Sequence, residues 1–310
     1  MQIGFLTACL PKVPLEKLIP WASTQGFDAL EIAAWPRTAD RDYMGSHIGA
    51  SGFTDAEAAQ VLELCNQHDI RISAMAYYDN NLHPDLEQRG RHLAHLRHVI
   101  DAAAKLGVEL VGTFVGGRPE KPDLIMKEIG EVFRDVVAYA EDRGVRVMIE
   151  NCPMDNWVQF GLPGNYAYSP ELWDALFNEV PSENFGLNFD PSHLYWLGID
   201  HIRATRDYGS RIFHAHAKDT EILPEGRYRH GVLWQQLKAD PWKSGSWRYR
   251  MPGKGEINWS EFIRTLQEVG YDDVLSIEHE DPEFEGSERE IKEGLRLGLE
   301  HLSEQVAPHV

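Results

Sequence analysis

Four short stretches in the second half of the chain constrain its fold more than any other feature. They are Val147-Met148-Ile149-Glu150-Asn151, Gly186-Leu187-Asn188-Phe189-Asp190-Pro191-Ser192-His193, Ile212-Phe213-His214-Ala215-His216-Ala217-Lys218-Asp219 and Val274-Leu275-Ser276-Ile277-Glu278-His279-Glu280-Asp281. Each starts as a short apolar run and breaks, at its C-terminal end, into acids and histidines. Runs of this length suit strands buried in a parallel sheet. A strand that ends in a polar cluster is how a closed barrel of alternating strands and helices builds its active site, because the chemistry sits at the C-terminal face.

One residue from each stretch gives Glu150, Asp190, His216 and Glu278. Three carboxylates and an imidazole form a hard, oxygen-rich donor set. It favours Mn²⁺, with Mg²⁺, Co²⁺ or Zn²⁺ as alternatives, over metals that need thiolates. A single acid at a strand end is more simply a helix N-cap or a solvated loop residue. Four at successive strand ends are harder to explain that way, since burying such charges without a metal or partner is costly.

The rest of the chain alternates in the same rhythm. Strands are expected at 2–7, 29–33, 71–77, 108–114, 145–150, 185–189, 211–217 and 273–278. Helices are expected at 15–25, from about 55 to 68, and at 86–106, 124–143, 170–178, 199–208, 259–269 and 287–302. Thr54-Asp55-Ala56-Glu57 reads as a capping box, and Gly26, Gly107, Gly144 and Gly270 stand where helices should stop. Eight strands alternating with helices argue for a (β/α)₈ barrel, with residues 1–310 as one domain. A doubly wound sheet is the alternative. It lacks its signature turn, since Thr7-Ala8-Cys9-Leu10-Pro11 follows the first strand in place of Gly-x-Gly-x-x-Gly.

One segment breaks the rhythm. Between the seventh strand and its helix, about 220–254, lies an insertion holding Trp234, Trp242, Trp247, Tyr228, Tyr249 and several arginines. On a barrel's catalytic face such a segment serves as a substrate cover or as a contact in a homo-oligomer.

Charge and cysteine usage remove other classes. A formal net charge of −19 opposes binding to nucleic acid or an anionic membrane. Cys9, Cys65 and Cys152 fit neither a disulfide framework nor a zinc knuckle and suggest a reducing, cytoplasmic home. The first residues have no basic flank and read as a strand, not a signal peptide. No apolar run approaches the roughly 18 residues of a membrane span.

Together these stretches, with Gly253-Lys254-Gly255-Glu256-Ile257-Asn258-Trp259, resemble the xylose isomerase-like barrels grouped as sugar phosphate isomerases and epimerases. That family includes D-tagatose 3-epimerase-like enzymes, inosose isomerases and dehydratases, and hydroxypyruvate isomerase. The resemblance implies that Glu150, Asp190, His216 and Glu278 hold one divalent metal, and that Glu150 and Glu278 also exchange protons with substrate carbon. It implies that His193 contacts a substrate oxygen. Two positions depart from the 3-epimerase pattern: Ile222 stands where those enzymes carry arginine, and Asn156 where they carry glutamate. The apurinic endonucleases share the barrel but need an Asp-x-His pair where Tyr228-Arg229-His230 stands.

The expected chemistry is removal of a proton alpha to a carbonyl, with the cation stabilising the enediolate. Return of the proton to the other face epimerises, return to the neighbouring carbon isomerises, and loss of a β-leaving group eliminates. Residues two apart on a strand share a face, so His214 and Lys218 align with His216 as candidate substrate contacts. Trp35 and Tyr77, near early strand ends, could stack on a sugar, and Arg250 could reach an anionic group. Glu280 reads as a cap or ion-pair partner, and Cys152 as packing. The leading expectation is a sugar, keto-sugar or inosose isomerase or epimerase. A lyase acting on 3-keto sugars stands second, and a non-catalytic sugar- or partner-binding barrel third.

Overall fold

The computed structural model describes residues 1–36, 45–154, 164–232 and 245–306. Seven strands follow in turn: β1 (Gln2–Leu6), β2 (Ala29–Ala33), β3 (Arg71–Ala76), β4 (Leu110–Thr113), β5 (Arg146–Glu150), β6 (Phe185–Phe189) and β7 (Ile212–Ala217). After a two-stranded excursion, β8 (Asp219–Ile222) and β9 (Trp247–Arg250), β10 (Val274–Ile277) completes the ring. Every neighbour is parallel, and β10 pairs with β1 from Gln2↔Val274 to Phe5↔Ile277. That closure makes the fold a (β/α)₈ barrel and removes the doubly wound alternative.

Strand alternation sorts the side chains. Val147, Ile149, Leu187, Phe189, Ala215, Ala217, Leu275 and Ile277 join the main apolar core between strands and helices. The intervening residues form the barrel interior. Met148, two residues before Glu150 on the same face, lies in a small separate apolar group with Ala74, Leu110 and Phe213. The polar layer above therefore rests on an apolar floor.

The helices are α1 (Leu15–Gln25), α2 (Asp55–Gln67), α3 (Leu86–Leu106), α4 (Pro122–Glu141), α5 (Pro170–Glu179), α6 (Pro191–Leu197), α7 (His201–Tyr208), α8 (Pro224–His230), α9 (Trp259–Glu268) and α10 (Glu288–Val306). The capping box opens α2: Glu57 N–H donates to Thr54 Oγ1 at 3.2 Å, and Thr54 N–H donates to Glu57 Oε2 at 2.8 Å. Helix α6 is an addition to the expected pattern. Asp190 caps its start, Pro191 follows, and Gly198 ends it in the left-handed region at φ 76°.

The excursion is antiparallel, with Asp219 opposite Arg250 and Ile222 opposite Trp247. The expected insertion at 220–254 thus contains an ordered hairpin, while Trp234 and Trp242, like Asn156, lie outside the described residues. The buried Asp219 carboxylate anchors both ends of the excursion. It accepts from Thr220 N at 2.8 Å, Gly253 N at 3.0 Å, Ile257 N at 3.0 Å and Trp259 Nε1 at 2.9 Å. Only glycine fits at 255, because a Cβ there would stand 2.3 Å from Asp219 Oδ1. Among the described residues no helix is long and apolar enough to cross a membrane.

Candidate metal centre

Glu150 ends β5, Asp190 follows β6, His216 lies near the end of β7 and Glu278 follows β10. Their ligand atoms all lie within 4.8 Å of one another. The arrangement follows from register: Glu150 pairs with Asn188, and His216 with Ser276, so four adjacent strand ends release their acids at one height. Local bonds set each carboxylate. Asn165 Nδ2 donates to the Glu150 carbonyl at 3.1 Å and to that of Cys152 at 2.7 Å, shaping the turn after β5. Asn151 receives Asp190 N–H at 2.7 Å and donates back to the Asp190 carbonyl at 2.8 Å. Ser192 N–H donates to Asp190 Oδ1 at 2.8 Å, leaving Oδ2 toward the site.

His216 is held from behind. Its Nε2 donates to Glu31 Oε2 at 2.9 Å, which leaves Nδ1 3.0 Å from Glu278 Oε2 and 3.6 Å from Glu150 Oε1. Glu31 also accepts from Tyr78 Oη at 2.6 Å and Ser276 Oγ at 2.8 Å. A carboxylate behind an imidazole whose other nitrogen faces three acids is the usual support of a metal-ligating histidine. Two buried atoms, His216 Nδ1 and Asp190 Oδ2, make no well-aligned hydrogen bond and are met by charged neighbours, Glu278 Oε2 at 3.0 Å and Lys218 Nζ at 3.2 Å. Both belong to the converging set, and both are lone-pair donors a cation would satisfy. The residues therefore fit a divalent ion.

Burial and charge set the proton states. Burial, then Glu278, pushes Glu150 up to about 8. Burial alone would raise Glu278 too, but Lys218 and His216 hold it well below the usual carboxylate range. Burial opposes charge on His216, yet Glu31 and Glu278 raise it well above the ordinary imidazole value. A metal ligand must shed its proton, so cation uptake should release protons and weaken as pH falls through about 8. Calorimetric titration with Mn²⁺ or Zn²⁺ from about pH 6 to about pH 9, in buffers of different ionisation enthalpy, measures this; each proton released adds about tenfold in affinity per pH unit. Affinity independent of pH would overturn the assignment of Glu150 and His216 as ligands.

Other expected site residues fall at graded distances. His193 Nε2 lies 3.1 Å from Glu150 Oε1 and 3.3 Å from Asp190 Oδ2, inside the site. Lys218, 1% exposed, donates to Glu278 Oε2 at 2.7 Å and Glu280 Oε2 at 3.1 Å and stands 3.2 Å from Asp190 Oδ2. Burial opposes its charge, but Glu278, Glu280 and Asp190 hold its pKa well above the ordinary lysine value. Burial pushes Glu280 up to about 7. Side-chain exposure rises from Asp190 at 0% through Glu278 at 8% to Glu280 at 30%, so Glu280 is the member of this group nearest solvent.

His214 sits one layer lower. Its Nδ1 lies 3.0 Å from Asn188 Oδ1 and its Nε2 3.1 Å from Ser73 Oγ, and burial lowers it to about 4. Both nitrogens serve the polar layer under the centre. Trp35 and Tyr77 stand behind Tyr78: the two rings are 6.2 Å apart, Trp35 is 6.1 Å from Tyr78, and Tyr78 is 5.9 Å from His216. Arg250 is surrounded by carboxylates, with Nε on Asp281 at 2.9 Å, Nη1 on Glu221 at 2.6 Å and Nη2 on Glu283 at 2.7 Å. Its charge is balanced there, and it staples β9 to the segment after β10.

Sequence reasoning missed Glu31, Tyr78, Asn188 and Tyr249. The one available signal was Glu31 itself, a lone acid inside the apolar run Ala29-Leu30-Glu31-Ile32-Ala33.

Known proteins are similar to this chain in different degrees. A family model described as the xylose isomerase-like TIM barrel matches residues 19–304. The uncharacterized protein YfiH of Bacillus subtilis is 27% identical over 99% of this chain and 100% of its own length. Inosose isomerase of Bacillus velezensis is 25% identical, covering 84% of this chain and 81% of its own. Inosose dehydratase of Geobacillus thermodenitrificans matches at 29% identity over 38% of each chain. A crystal structure of the IOLI protein with a bound zinc atom superposes with a TM-score of 0.71 at 22% identity, over 99% of this chain and 100% of that one.

Proposed function

Because the chain belongs to the xylose isomerase-like TIM-barrel family, we propose that it is a divalent-metal-dependent isomerase or epimerase of a small keto-sugar or inosose. The observation that carries this reading is the convergence of Glu150, Asp190, His216 and Glu278 within 4.8 Å at four adjacent strand ends. When bound, the cation supplies Lewis acidity: it polarises a carbonyl oxygen and makes the neighbouring C–H acidic.

The chain's own residues do the rest. Glu278, kept ionised by Lys218 at 2.7 Å, accepts the proton. Glu150, on the far side of His216, is the carboxylate that returns or removes a proton from the opposite direction. His193 donates through Nε2 to a substrate oxygen, and Lys218 and Glu280 orient the substrate at the mouth. Mn²⁺ is the occupant we favour from the oxygen-rich donors, and the zinc in the IOLI structure supports Zn²⁺ as the alternative. Cys9, Cys65 and Cys152 form no disulfide, which fits a reducing compartment, and we place the enzyme in the cytoplasm.

Elimination is the second reading. Lys218 favours it, since an ammonium beside the proposed base is placed to give a proton to a departing oxygen, and the dehydratase relative supports it.

Solvent deuterium incorporation into inososes, ketohexoses and 3-keto glucosides, followed by NMR, tests both. Metal-loaded protein should wash deuterium into the carbon next to the carbonyl, and chelation should stop it. Exchange that survives chelation, or no exchange with any of these ketones, would sink the reading. Product identity separates epimer, isomer and dehydrated ketone.

A further inference from the structure

The excursion between β7 and β10 does more than lie over the barrel: its second strand reaches the site through one side chain. Tyr249 Oη lies 2.8 Å from His193 Nδ1, the nitrogen opposite the one that faces Glu150 and Asp190. The two rings meet edge to face at 5.4 Å, and Lys218 Nζ stands 4.5 Å from the Tyr249 ring centre. The position is braced. Trp247 packs 4.7 Å from Tyr249 and stacks on Trp196 of α6 at 4.4 Å and 9°. Helix α6 is the element that carries His193. Strand and histidine are therefore fixed to one aromatic column.

The hydrogen-bond logic has one consistent assignment. In the ionised state in which they would hold a cation, Glu150 Oε1 and Asp190 Oδ2 are acceptors, so the proton of a neutral His193 belongs on Nε2. Nδ1 is then an acceptor and needs a donor, and Tyr249 O–H is the group that reaches it. Which imidazole nitrogen holds the proton is set by the bond the other nitrogen makes.

We propose that Tyr249 is a positioning residue that locks His193 in its Nε2–H form, so that the histidine enters the site as a hydrogen-bond donor to a substrate oxygen. The role in turnover rests on the isomerase or epimerase reading above, whereas the tautomer does not. The substrate oxygen so recognised is a carbonyl or hydroxyl oxygen, an acceptor.

Tyr249→Phe tests it, since the ring and its packing remain. Two-bond ¹⁵N–¹H correlation spectra of ¹⁵N-histidine-labelled protein, with His193 assigned through His193→Asn, report the tautomer in the metal-free and zinc-loaded states. Wild type should show the Nε2–H pattern in both states, and Tyr249→Phe should show Nδ1–H appearing in the zinc-loaded state, where the cation would engage the Glu150 and Asp190 carboxylates that otherwise accept from Nε2–H. In the exchange assay the variant should lose roughly tenfold in kcat, the worth of about one hydrogen bond, with KM and metal affinity little changed. An unchanged His193 spectrum in Tyr249→Phe would overturn the proposal, as would an Nδ1–H pattern in wild type. If the tautomer shifts while no ketone exchanges with wild-type protein, the Tyr249–His193 link stands and the enzymatic reading is what fails.

Discussion

Glu278→Gln should lower metal-dependent C–H exchange by roughly a thousandfold, the middle of the range for a general base, while the barrel unfolds at nearly the wild-type denaturant concentration. The amide keeps the shape and one oxygen, so the variant should still take up metal, with weaker affinity. It cannot accept a proton. Lys218 makes the experiment sharper, because its ammonium loses its nearest partner, at 2.7 Å, but keeps Glu280 and Asp190. Metal content and exchange rate must be read together. A metal-loaded Glu278→Gln protein that exchanges within about tenfold of wild type removes Glu278 from the proton transfer and leaves it a ligand only.

Asp219→Ala should cost about 4 kcal/mol of stability. The carboxylate is buried and accepts from three backbone N–H groups and the Trp259 indole. Truncation leaves those donors without partners in a place that water reaches poorly, and each such loss costs about 1–3 kcal/mol before relaxation. Asp219→Asn keeps one acceptor oxygen and should lose about half as much. Urea denaturation of the three proteins measures this. A midpoint for Asp219→Ala corresponding to less than about 1 kcal/mol would mean that the loop from Gly253 to Trp259 is held by its packing instead.

Much of the barrel was legible because its physics is local. Helix α3 was expected at Leu86–Leu106 and observed there, since apolar spacing and Gly107 act within a turn or two. The convergence of Glu150, Asp190, His216 and Glu278 was legible for a related reason: a strand that ends in polar residues reports on the face where it ends. Glu31 was not. A lone acid in a strand ordinarily faces water, and only closure of the ring turns that face into an interior, where His216, Tyr78 and Ser276 meet it. Tyr249 was legible as an aromatic of the insertion but not as the partner of His193, because 56 residues separate them and the link depends on how β9 pairs with β8. Helix α6 had its signals in plain view, with Asp190 before Pro191 and Gly198 after Leu197. The same residues also form the polar strand end after β6, so one stretch encodes a helix cap and a candidate site together. Arg250 shows the opposite limit. Its charge suggested an anion, while the acids that balance it come from β8 and from the segment after β10.

The anchoring by Asp219 has a consequence for how such a protein can change. The excursion opens at Thr220 and closes at Gly253, and one carboxylate fastens both points. The entropy of closing whatever lies between rises only slowly with its length. The frame is thus insulated from the stretch that joins β8 to β9, which can change in length without disturbing the ring while Tyr249 and Arg250 of β9 keep their partners. Diversity in what the barrel accepts can accumulate there while the scaffold stays constant.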